Sequence, residues 1–206
     1  MNEQRGTEQR IREAAFRALT KHGYADLSIK IIGEELGQSP SLIYHYFEDK
    51  DELLLSLLDV FSEKFVEKQL RERTGDPEAD LRSVVDTFLD PMRPESESVV
   101  ISSSGDEPAV SSVFIELWAQ AARNDAYREK LTEIDTELRD ILVRILDSGI
   151  EDGTFRDVDT ETTAEHILAL LLHGMHTRTT TNRDGVPDTM RELIDDMIEN
   201  DLLRKN

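Results

Sequence analysis

Two glycines four residues apart, Gly33 and Gly37, with Ser39-Pro40 one residue beyond them, restrict this chain more than any other stretch. The pattern predicts a short helix over about 29–36, opened by Ser28 as N-cap and closed by Gly37, where a positive φ costs little. Serine at an N-cap with proline at the first helical position opens another helix, because proline lacks the N–H that would stand unpaired there. That helix is short, to about Tyr46. Two short helices crossing steeply through a three- or four-residue turn need a small residue where they touch, and Gly33 is small. Ile32, Leu36, Ile43 and Tyr46 are placed to hold both against a preceding helix. This is the spacing of a helix-turn-helix.

The preceding helix is predicted from about Thr7 to Lys21, with Ile11, Ala14, Ala15, Ala18 and Leu19 on one buried face. Gly23 sits just past its end. Behind the motif, Asp49 and Glu52 form a variant capping box for a long helix to about Arg73, with an apolar stripe from Leu53 to Val66. Gly75-Asp76-Pro77 breaks the chain, and a fifth helix runs to about Met92. Residues 93–108, rich in Ser, Glu and Pro, read as a surface loop. Helices resume over about 109–123, 126–152, 160–180 and 187–203. The fold class is all-α, with about nine helices and no repeat.

Composition narrows the functional classes. Asp and Glu number 44 against 24 Lys and Arg, for a formal charge of -20. An acidic excess normally opposes nucleic-acid binding, which gains free energy by releasing counterions from phosphate. The excess is uneven, however: residues 1–55 carry a balance of -3 and the remainder -17. Acid spread along every helix resembles the surfaces of proteins from salt-loving organisms. There is no cysteine, which excludes disulfides and thiolate metal sites. No apolar run approaches the roughly 20 residues of a membrane span, and the N-terminus has no signal-like apolar region, so a cytoplasmic protein is expected, with no membrane partner.

The stretch GQSPSLIYHYFEDKDELL, preceded by GYADLSIKIIGEEL, resembles the N-terminal signature of the TetR/AcrR family of one-component transcriptional regulators. Gly23-Tyr24, Ser28, Gly37, Ser39, Ile43-Tyr44, Phe47, Lys50 and Leu53 match that pattern. It covers roughly the first 55 residues; over the rest, length and helix count agree. Three positions depart from it. Gly33 stands where alanine is usual, at up to about 1 kcal/mol of helix propensity. Gln38 stands where an apolar residue is common, and Pro40 removes a frequent basic residue.

The resemblance implies a helix-turn-helix DNA-binding domain over 1–52 and an effector-binding and dimerisation domain over 53–206. Carried over by position, Ser28, Tyr44 and Lys50 are expected to hold phosphate. Ser39, Ser41, Leu42 and His45 are expected on the exposed side of the recognition helix, towards base edges or the thymine methyl. Phe47 is expected to be core. Lys30 is either a further phosphate contact or a solvated side chain. The expected partners are a double-stranded, palindromic DNA operator, a second copy of the chain, and an unknown small-molecule effector.

Dimerisation also has support in the residues. Leu131, Ile134, Leu138, Ile141, Leu142, Ile145 and Gly149 share one helix face, and Ile167–Leu172 is apolar on nearly every side before Gly174. Two such helices pairing with their symmetry mates would make a four-helix interface, although a monomer core would show the same pattern. Phe88, Met92, Phe114, Trp118, His173 and Met175 are candidate effector-pocket residues, each equally able to be ordinary core or interface. His166, His173 and His176 share an arc of roughly 80° on a helix, yet no acidic triplet accompanies them, and neither metal nor cofactor is expected. With no nucleophile elbow, phosphate loop or HExxH pair, the chain does not read as an enzyme. The alternative reading is an acidic helical interaction protein that keeps the motif for packing.

Overall fold

The computed structural model describes residues 2–89 and 107–204. The described helices are α1 (Asn2–Asp26), α2 (Ile29–Leu36), α3 (Pro40–Ile43), α4 (Lys50–Glu72), α5 (Pro77–Leu89), α6 (Glu107–Gln120), α7 (Asp125–Asp152), α8 (Thr160–Thr180) and α9 (Val186–Met197). A π-helical turn, Ile198–Leu202, closes α9. Among the described residues there is no strand, only an isolated antiparallel bridge between Phe155 and Leu203. The fifth helix ends at Leu89, and α6 starts at Glu107 rather than near Ala109. The expected loop otherwise lies outside the described residues.

The chain forms two compact units. The first comprises Met1–Phe65 with Glu97–Thr132, the second Val66–Ser96 with Glu133–Asn206. In the first, Ile11, Ala14, Ala15, Ala18 and Leu19 of α1 are fully buried, as their spacing predicts. They share the core with Ile32, Ile43, Leu53, Leu54, Leu57 and Leu58, each also withdrawn from water. Burying one such leucine or isoleucine stabilises by roughly 1.5–3 kcal/mol, so the small α2 and α3 are held by tertiary packing more than by propensity. Phe16 and Phe61 meet edge to face at 6.2 Å.

In the second unit, the apolar face of α7 is already used inside one chain. Ile134, Ile141, Leu142 and Ile145 are buried, and a Cβ on Gly149 would lie 2.1 Å from the Phe155 ring. Leu131, at the α7 end of the first unit, is buried as well. This corrects the expectation of an α7 face open to a symmetry mate: most of the stripe is core, and Leu138 is half-buried. Gly174 does permit close approach, but of intrachain neighbours. A Cβ there would lie 2.5 Å from Leu89 of α5 and 3.4 Å from Met190 of α9. Ion pairs Arg82–Asp195 at 2.6 Å and Arg191–Asp86 at 2.5 Å join α5 to α9. Asp159 caps α8 by accepting the Thr162 N–H at 3.0 Å.

Candidate nucleic-acid interface

Local chemistry fixes the motif. The Ser28 hydroxyl accepts the Ile31 N–H at 3.3 Å, capping α2. Gly37 has φ 70 and ψ 30, and the Gln38 N–H donates to the Gly33 carbonyl at 2.9 Å. This left-handed closure turns the chain within three residues into Ser39 and Pro40. A Cβ on Gly33 would lie 2.9 Å from the Gln38 carbonyl oxygen, so the turn backbone packs directly on α2. The regular part of α3 is four residues, shorter than the expected run to Tyr46; single turns through Tyr46 and Phe47 continue it. Asp49 then accepts the Glu52 N–H at 2.9 Å, and Glu52 reaches back to the Glu48 N–H.

These bonds divide the motif into an inner and an outer side. Ile43 and Phe47 point inward, with Phe47 only 6% exposed beneath the Arg12 guanidinium at 5.7 Å. Tyr44 points outward and is 57% exposed. Ser28, Lys30, Ser39, Ser41 and His45 are exposed as well, and Leu42 is half-buried. His45 packs edge to face on Tyr46 at 5.1 Å, which limits its swing. Lys30 pairs with Glu34 at 3.8 Å, both well exposed. Lys50, half-buried, donates to the Tyr24 carbonyl at 3.2 Å, its ammonium 4.0 Å over the Tyr24 ring.

Glu35 ties α1 to α2. It accepts from Arg17 at 3.1 Å and Lys21 at 3.2 Å, and hydrogen bonding from Arg17, then Lys21, holds its carboxyl below the ordinary glutamate value. A depressed carboxylate pKa contributes stability above its unfolded value, and that stability is lost as pH falls through the folded one. The stability difference between the protein and Glu35→Gln should therefore be level above about pH 5 and shrink on acidification. Chemical denaturation of both proteins from pH 7 to pH 3 measures it; a difference that grows towards acid would reverse this sign.

The expected effector residues are distributed over both units. Phe114, half-buried, and Trp118, 39% exposed, belong to α6 in the first unit. Phe88 and Met175, half-buried, and His173, exposed, belong to the second. Met92 lies outside the described residues. The second unit has an open groove of about 560 Å³ lined by His166, Ala169 and Leu170 of α8 and by Leu193, Asp196 and Met197 of α9, among others. The histidine arc separates: His166 walls that groove, while His176 sits 3.2 Å from the Thr180 hydroxyl. No helix of the described residues is long and apolar enough to cross a membrane.

A capped helix-turn-helix with a polar outer side, followed by a helical body, defines a one-component DNA-binding regulator. Residues 11–57 match the model of the bacterial regulatory proteins of the tetR family, and residues 98–203 that of the BetI-type transcriptional repressor C-terminal domain. The second match alone spans half the chain. The chain belongs to the TetR family of bacterial transcriptional regulators.

The transcriptional repressor NicS of Pseudomonas putida is 28% identical over 153 residues, which cover 73% of this chain and 66% of that protein. The regulator BetI of Stenotrophomonas maltophilia is 35% identical over 86 residues, 40% of this chain and 43% of that one, so these matches span less than two thirds of the relatives. A TetR regulator from Haloarcula marismortui superposes with a TM-score of 0.83 at 28% identity, covering 96% of this chain and 98% of its own. A regulator from Saccharomonospora viridis, solved in complex with choline, has a TM-score of 0.78 at 24% identity over 96% and 98%.

Proposed function

We propose that the chain is a cytoplasmic, non-catalytic repressor that grips a palindromic operator as a homodimer and releases it when a small molecule binds its helical body. Residues 1–52 are the reading head and 53–206 the effector and dimerisation part. Ser28, Tyr44 and Lys50 hold phosphate, Lys30 stands beside them, and Ser39, Ser41, Leu42 and His45 face the bases. The carrying observation is the sorting of neighbours in α3: Ile43 is fully buried, whereas Tyr44 beside it is 57% exposed. A large aromatic costs free energy in water, so its exposure directly after a core residue fits a partner of the motif. The α8–α9 groove, with Leu193 47% exposed on its wall, is the face offered to the second copy.

Retardation of the DNA directly upstream of the chain's own gene tests the reading. Hydrogen bonds to charged groups contribute about 1.5–3 kcal/mol, so Tyr44→Ala should weaken operator binding at least about tenfold. Its melting temperature should stay within about 2 °C, the shift expected from an exposed substitution. Equal binding by the variant would remove Tyr44 from the contact set. No retardation by the unmodified protein would favour an acidic interaction protein instead. Choline, bound in the Saccharomonospora viridis regulator, is the first effector to titrate.

A further inference from the structure

Between α1 and α2 the chain is fastened from three sides. Gly23 breaks α1 with φ 69, and the Tyr24 N–H freed there donates to Glu116 of α6 at 2.7 Å. The Tyr24 hydroxyl donates to Asp51 Oδ1 at 2.8 Å, in the first turn of α4. The same oxygen accepts the Tyr127 hydroxyl of α7 at 3.2 Å, and Asp51 Oδ2 lies 3.5 Å from the Asn124 amide just before α7. The two tyrosine rings meet edge to face at 6.5 Å.

Neither capping nor packing requires this carboxylate. Asp49 already caps α4 and Glu52 completes the box, so Asp51 is spare at that end. Tyr127 is 0% exposed, where phenylalanine would fill the same space without burying a hydroxyl. A buried hydroxyl costs free energy unless it is bonded, and its bond is to Asp51. Burial, then the bond to Asp51, pushes the Tyr24 hydroxyl up to about 12; burial, then the charge of Asp51, raises that of Tyr127 too. Both phenols therefore stay protonated donors through the neutral range, and the tie is mechanical.

We propose that Asp51 is a positioning residue for the reading head. Through Tyr24 and Tyr127 it locks the start of α4 and the α1–α2 junction to the junction of α6 and α7. Tyr24 precedes the α2 cap, Ser28, by four residues, so a shift of the α6–α7 junction reaches the helix-turn-helix over a short, bonded path. The inference rests on the regulator reading above.

Half-site spacing provides the test. One base pair added or removed between half-sites rotates one relative to the other by about 34° and moves it about 3.4 Å. A head held rigidly rejects such DNA; a loosened head accepts it. The unmodified full chain should lose about 30-fold or more in affinity on its footprinted upstream operator altered by one base pair, and Tyr127→Phe about fivefold or less. A purely structural bond would lower the melting temperature and leave that ratio unchanged, because the ratio compares two DNAs on one folded protein. Asp51→Asn and Tyr24→Phe give the same readout should Tyr127→Phe melt. Equal spacing discrimination in the folded variants overturns the positioning role and leaves the regulator reading standing. Failure of the unmodified chain to bind any upstream DNA overturns both.

Discussion

Raising KCl from 50 to 200 mM should weaken operator binding by only about 10- to 150-fold, where a repressor making 6–10 phosphate contacts loses about 10³–10⁵. The expectation follows from which cations are spare. Arg17 and Lys21 are spent on Glu35, Lys30 pairs with Glu34, and Arg12 lies against Glu8, Ser56 and the Phe47 ring. Lys50 can turn from the Tyr24 carbonyl to a phosphate, giving two neutralised phosphates per dimer and a slope near about −1.8. Adding Arg10, exposed on α1, doubles both figures to a slope of about −3.6. The grip must then come from the hydroxyls of Ser28, Ser39, Ser41 and Tyr44 and from shape. Fluorescence anisotropy across a salt series measures the slope. A value steeper than about −5 would mean that these ion pairs open on DNA and that the head binds as a basic one does.

The reading head was legible because its constraints are local. Ser28, Gly37, Pro40 and Asp49 each mark a helix end within three residues, although the Ser39 hydroxyl makes no cap bond, and α2 and the α4 start fall where those signals place them. Inward and outward sides of α3 follow from the same spacing: Ile43 and Phe47 are core, Tyr44 is not. The TetR resemblance carried roles for these residues that spacing alone does not supply. What an apolar face meets was less legible. The stripe of α7 and the run in α8 point to a dimer seam by their pattern, with a monomer core as the alternative that shows the same pattern. The difference lies in Phe155 seated on Gly149 and Leu89 against Gly174, contacts between residues with no local signal.

Tyr127 and Glu116 were missed for a related reason. Their partners Asp51 and Tyr24 lie 76 and 92 residues away, and a tyrosine in an apolar stripe reads as a bulky hydrophobe until its hydroxyl is seen to bond. The signal available was weak: an acidic residue beside a cap that Asp49 already satisfies. Of the expected effector residues, Phe114 and Trp118 fold with one unit and Phe88, His173 and Met175 with the other. Helical periodicity assigns a side chain to a face; it does not say which helix that face will meet.

Gly33→Val should cost about 100-fold in operator affinity, while Gly33→Ala leaves it within about threefold; the magnitudes decide between the two. A Cβ at this site falls 2.9 Å from the Gln38 carbonyl oxygen, a backbone atom that yields only if the turn moves. For alanine, the turn backbone must shift to admit the Cβ, and about 1 kcal/mol of helix propensity gained over glycine offsets part of that cost. Valine recovers less propensity and adds two methyl groups against Pro40, whose nitrogen and Cδ lie 3.5 and 3.6 Å from the same Cβ position. Overpacking of this kind costs typically 1–3 kcal/mol, or roughly 2–12 °C in melting temperature for a chain of this size. The larger effect falls on DNA. Relief of the clash pushes the start of α3 away from α2, carrying Ser39 and Ser41 with it. Loss of one base contact per head is about tenfold, and a dimer has two heads. Anisotropy titrations with circular dichroism melts on both variants separate the effects: affinity lost in step with stability would mean that Gly33 serves the fold and not the aim of the recognition helix.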